Sequence, residues 1–143
     1  MKKRLLCLLS ACLLFGLFCL SFFACAKEKT LTVLFENGEE TKSFSVRLAD
    51  YPEGAKLYDV LKKETSMKAE MDETTTPYVT SLCGVTPDAA KNAYIAVYTS
   101  LASDAWGNTQ LERNGVTLFY AAVGIAELPL TEDAVYLFRV ESW

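Results

Sequence analysis

Beyond a long uncharged opening run, hydrophobic and polar positions in this chain fall into short alternating stretches. In Thr30–Glu36 the residues Leu31, Val33 and Phe35 recur at period two, which predicts a strand with one buried face. Asn37, Gly38, Glu39 and Glu40 supply turn residues, and Phe44, Val46 and Leu48 repeat the alternation over Ser43–Ala49, so the two runs are expected to pair as a hairpin. After Tyr51-Pro52-Glu53-Gly54 the period changes. Leu57, Val60 and Leu61 lie on one helical face, with Lys56, Asp59, Lys62 and Lys63 outside it, which predicts a helix over Ala55–Ser66. Met67–Thr76 is polar and aperiodic and reads as an exposed loop.

The second half is rich in Val, Tyr, Phe and Thr. Strands are expected at Tyr78–Cys83, Ala93–Ser100, Gln110–Arg113, Val116–Ala122 and Ala134–Glu141. Asn114-Gly115 predicts a tight hairpin, because both central positions of a type I′ turn need positive φ and this pair tolerates it. Two strands, a helix and further strands make an α+β class, a β-grasp-like mixed sheet with one helix packed on one face. Leu31, Val33, Phe35, Phe44, Val46, Leu57, Val60, Leu61, Val135 and Leu137 are expected to bury together in one core.

The opening run changes the picture by giving the chain an address. Lys2, Lys3 and Arg4 precede Leu5–Ala26, which holds no charged residue, and a basic start before an apolar stretch is an export signal. Ala24-Cys25 resembles a lipobox, which predicts a lipoprotein-type signal at 1–25 with a lipid on the Cys25 thiol, and a single domain at 26–143. Cleavage before Lys27 after Ala24-Cys25-Ala26, or an uncleaved anchor, are the alternatives. The three cations before the run place the domain outside the cytoplasmic membrane, tethered to it. Without them the chain keeps 11 basic against 18 acidic residues, a net charge of −7, which argues against nucleic acid as a partner.

The chain has no histidine, which removes Ser-His-Asp and Cys-His catalysis and imidazole metal ligands. No glycine-rich phosphate loop or calcium loop is present, so neither an enzyme nor a metal or cofactor site is expected. Cys83 alternates with strand residues and reads as a buried, inert thiol. Trp106 stands out in Ser103-Asp104-Ala105-Trp106-Gly107-Asn108, a loop-like run of small and polar residues where a large aromatic serves as a contact surface or folds back over the core. Trp106, Asn108, Tyr94 and Tyr98 are the ligand-binding candidates, with Tyr58 and Tyr120 as further aromatics of the same region.

The opening hairpin, the helix Lys56–Lys62, the segment Tyr78–Val85, the run Gly124–Leu130 and the strand Ala134–Phe138 together resemble the transcobalamin-like C-terminal domain family. These are bacterial extracytoplasmic domains frequently carried on lipoproteins. The resemblance implies a β-grasp-like fold and a ligand-recognition or transporter-accessory role, and it admits cobalamin as a ligand. A protein-interaction or envelope-structural module without a small-molecule ligand is the alternative. The first role predicts a concave apolar pocket near Trp106; the second predicts a flat apolar patch or an open sheet edge.

Overall fold

A computed structural model describes residues 27–143; the signal at 1–25 and Cys25 lie outside the described residues. Eight strands and one α-helix follow in the order β1 Thr30–Asn37, β2 Glu40–Arg47, α1 Leu57–Lys63, β3 Glu70–Asp72, β4 Tyr78–Ser81, β5 Ala93–Thr99, β6 Ala105–Arg113, β7 Val116–Ala121 and β8 Val135–Ser142. Six of them form a mixed sheet ordered β2-β1-β8-β5-β7-β6, while β3 and β4 pair separately. The opening hairpin is antiparallel, as its alternation requires, and β8 returns parallel to β1 with Leu34 opposite Leu137. A hairpin, a helical crossing and a parallel return strand beside the first give the expected α+β, β-grasp-like order.

Helix α1 has only 7 residues, too few to hold as an isolated helix, so packing sustains it. Leu57, Val60 and Leu61 are buried against Leu31, Val33, Phe35 and Val46 of the sheet, each contributing about 1.5–3 kcal/mol relative to exposure. The Asp59 carboxylate accepts the Lys56 backbone N–H at 2.7 Å and closes the first turn. The helix is shorter than Ala55–Ser66 because Glu64 leaves helical geometry, and a 3-10 turn at Thr65–Met67 follows it.

The stretch Met67–Thr76 is not simply an exposed loop. Met67 is buried in the core, and Glu70–Asp72 pairs with β4. Strand β4 ends at Ser81, earlier than expected, since Cys83 and Gly84 have φ of 56° and 81°. Leu82 and Val85 exchange backbone hydrogen bonds across these two residues, a tight turn of the kind that needs positive φ at both positions. Asn114 and Gly115 make the second such turn, at φ 52° and 77°, where the sequence predicts it.

Strand β8 corrects the expected core. Tyr136 and Phe138 face α1, whereas Val135 and Leu137 lie on the opposite side of the sheet with Leu34, Ala96, Tyr98 and Leu118. That second face is buried because the β6–β7 hairpin curls across it. In a flat sheet β6 and β1, four strand spacings apart, would stand roughly 19 Å from each other. Instead the Arg113 guanidinium forks onto both carboxylate oxygens of buried Glu36, with Nη2 to Oε2 at 2.9 Å. Arg139 approaches the same carboxylate at 3.8 Å. The sheet therefore carries a helix on one face and its own folded edge on part of the other.

Candidate functional site

Where the hairpin curl ends, the second face emerges as a band of aromatic rings. Tyr94 and Tyr98 project from alternate positions of β5, and Tyr120 from the β7 position opposite Tyr98. The Tyr98 and Tyr120 rings meet edge to face at 5.4 Å, and Trp106 lies 6.0 Å from Tyr120. At the other end Tyr94 lies 4.9 Å from Trp143, the last residue of the chain. Glu141 of β8 joins the halves, accepting the Tyr98 hydroxyl at 2.7 Å and the Tyr94 hydroxyl at 3.2 Å. Arg139 Nη1 stands 3.5 Å from the same carboxylate.

The band grades from fixed to exposed. Tyr98 is 3% exposed and belongs to the smaller core, whereas Trp106 is 68% and Trp143 82% exposed. Burial, followed by the bond to Glu141, holds the Tyr98 hydroxyl well above the usual tyrosine range; burial, followed by the charge of Glu141, raises Tyr94 as well. Both hydroxyls are thus neutral donors at physiological pH.

Trp106 lies on β6 instead of in a loop, with a loop's irregularity. The β6–β7 ladder pairs Ala105 with Ala121 and then resumes at Gln110 with Phe119, so the residues between bulge outward. Gly107, at φ 64°, makes that excursion possible. All of 106–110 is exposed, including Asn108. The candidates Trp106, Tyr94 and Tyr98 are therefore brought together with Tyr120, while Asn108 lies on the same bulge two residues from Trp106. Tyr58 is not in the group: it sits on α1 at the opposite face, donating to Glu73 at 2.8 Å. Reading the strands one at a time missed Glu141 and Trp143. A period-two phase that put Tyr94, Tyr98 and Glu141 on one face would have found them.

A separate cleft of about 440 Å³ opens beside the far end of the band. Tyr78, Val79 and Thr80 of β4, Thr86, Pro87 and Ala89 of the following loop, and Ala93, Tyr94 and Ile95 of β5 line it. This cleft meets the band at Tyr94. Cys83 is half-buried in its turn, and burial pushes its thiol up. Among the described residues no group of three or more His, Cys, Asp or Glu side chains could hold a metal ion. Nor is any described helix long and apolar enough to cross a membrane.

No protein-family model matches the sequence, and no curated protein matches it in a sequence search. Solved structures do share its fold. A protein from Ruminococcus gnavus ATCC 29149, provisionally assigned as metal binding, aligns at TM-score 0.58 and 14% identity over 81% of this chain and 99% of its own. Haptocorrin in complex with Cbi aligns at TM-score 0.58 and 14% identity over 82% of this chain. The matched part is 26% of haptocorrin, so the chain corresponds in fold to about a quarter of that larger protein.

Proposed function

We propose that this chain is a non-catalytic recognition module, held outside the cytoplasmic membrane by a lipid on Cys25, and that it binds its ligand on the aromatic band. The observation that carries this reading is the continuity of Trp106, Tyr120, Tyr98, Tyr94 and Trp143 on one face, with both tryptophans exposed. Large rigid rings gain much contact area on binding at little entropic cost, and here the buried hydroxyl network of Tyr98 and Glu141 fixes their base. The shared fold with part of haptocorrin makes corrinoids the first ligands to screen. Strand β1 starts where β8 starts, so Trp143 stands roughly 26 Å along the sheet from the tethered end and faces away from a bilayer.

The chain has only two tryptophans, and both belong to the band. A thermal-shift screen starting with cobinamide and cobalamin, followed by indole fluorescence on each hit, tests the reading. Ligand on the band changes the emission and shields it from acrylamide. A stabilising ligand that leaves both properties unchanged would place the site elsewhere. A second reading, a protein-interaction module, is favoured by the exposed β6 edge at 106–110.

A further inference from the structure

The rings of the band succeed one another instead of converging. Trp106 comes from β6, Tyr120 from β7, Tyr98 and Tyr94 from β5, and Trp143 from the end of β8, so the band crosses the sheet obliquely. Ser142, the residue before Trp143, is opposite Ala93, five residues along the strand from the level of Tyr98, or roughly 17 Å. Trp106 lies on the other side of Tyr98, separated from it by the Tyr120 ring. The most exposed rings are thus the two outermost, and a ligand that touches both is long.

The band is also electrically balanced. Beside it the Glu36 carboxylate is met by Arg113 and Arg139, and the Glu141 carboxylate by Arg139. Two carboxylates and two guanidiniums cancel, so this face calls for a ligand without charge. The polar groups that remain are neutral. Asn108 is exposed on the bulge beside Trp106, and the Tyr94 hydroxyl, which donates to Glu141 at 3.2 Å, keeps its capacity to accept. The cleft that meets the band at Tyr94 continues this character: its polar side chains are the hydroxyls of Tyr78, Thr80, Thr86 and Tyr94.

Resting on the aromatic band as the binding surface, we propose that its ligand is a neutral β-linked glycan of the cellulose type, laid along the band with separate sugar rings stacked on Trp106 and Trp143. A pyranose ring has a flat face of C–H groups and a rim of hydroxyls. The C–H face packs on the electron-rich face of an indole. The rim needs neutral donors and acceptors, which Asn108 and Tyr94 supply at the two ends of the band. Equatorial linkages keep successive rings in one straight ribbon, so that a single chain reaches both tryptophans. The α-linked chain of the amylose type coils and brings its rings out of that line.

The probes are cellohexaose, cellobiose and maltohexaose, titrated into the purified protein and followed by indole emission and acrylamide quenching. Cellohexaose should shield both tryptophans and bind at least about tenfold more tightly than cellobiose or maltohexaose. Trp106→Ala and Trp143→Ala should each remove about tenfold of the cellohexaose affinity at unchanged melting temperature, and each leaves the other tryptophan as the sole reporter of its own end. Cellobiose, which spans one ring position, should lose little in at least one of the two variants. Equal affinity for cellohexaose and cellobiose would overturn the proposal, as would cellohexaose binding that neither variant weakens. Silence toward cellohexaose at about 5 mM, with cobinamide still changing the indole emission, would overturn the glycan and leave the band as the binding surface. Silence toward both would remove the band as well.

Discussion

Leu61 and Lys62 are adjacent in sequence and differ in every physical respect that matters for stability. Leu61 is 3% exposed in the main core, whereas Lys62 lies at the surface in an ion pair with Glu73. Leu61→Ala should cost roughly 2–5 kcal/mol in urea unfolding, and Lys62→Ala less than about 1 kcal/mol. Tyr136 gives a titration to measure. Burial first, and then the charge of Asp104, push its hydroxyl up to about 12, while its O–H donates to the Pro129 carbonyl. A raised pKa in the folded state means that the stabilisation is fully present below the unfolded value of about 10. It should be lost between about pH 10 and 12, and tyrosinate absorbance followed with circular dichroism should show Tyr136 ionising near the top of that range or on unfolding. The placement of Val135 and Leu137 was not legible in the sequence for a related reason. Tyr136, Leu137 and Phe138 are all 0% exposed, so β8 is buried on both faces and its hydrophobicity carries no phase.

At the scale of elements, the β6–β7 hairpin is held across the sheet by the ion pair of Arg113 with Glu36. Arg113→Ala leaves the buried carboxylate with only the more distant Arg139. Because the Arg113 side chain is one-third exposed, the loss should be about 1–3 kcal/mol, below that of a fully buried pair. Hydrogen exchange should locate the change: amides of β6 and β7 should lose protection before those of β1 and β8. Uniform loss across the sheet would mean that the hairpin is not a separable unit. Strong local patterns made most elements legible, above all Asn114-Gly115 and the helical face of Leu57, Val60 and Leu61. Strand β3 was hidden because Glu70-Met71-Asp72 is short and polar and gains its place by pairing with β4. The first half of β6 is hidden because Ser103–Asn108 has the composition of a loop, whereas its second half, from Gln110, carries a strand pattern.

For the whole molecule, the sequence yielded the hairpin, the helix and the return strand, from which the α+β order follows; the curl of the sheet depends on Arg113 and Glu36, which are 77 residues apart. Separation in sequence also kept Trp143 and Glu141, the latter 43 and 47 residues from Tyr98 and Tyr94, out of the candidate site. The tether is a matter for direct chemistry. Mass spectrometry of membrane-extracted protein should find a mature chain beginning at acylated Cys25, and Cys25→Ser should abolish that processing while leaving the domain folded. A free N-terminus at Lys27, or an intact Met1 segment, would remove the lipid anchor from the account. The central claim is that the exposed rings bind, and Trp106→Ala tests it most directly, with affinity for the best screened ligand and melting temperature measured on the same sample. The account predicts affinity weakened at least about tenfold, with the melting temperature little moved, since Trp106 is 68% exposed. Unchanged affinity with a large fall in melting temperature would contradict it and make Trp106 a lid on the smaller core.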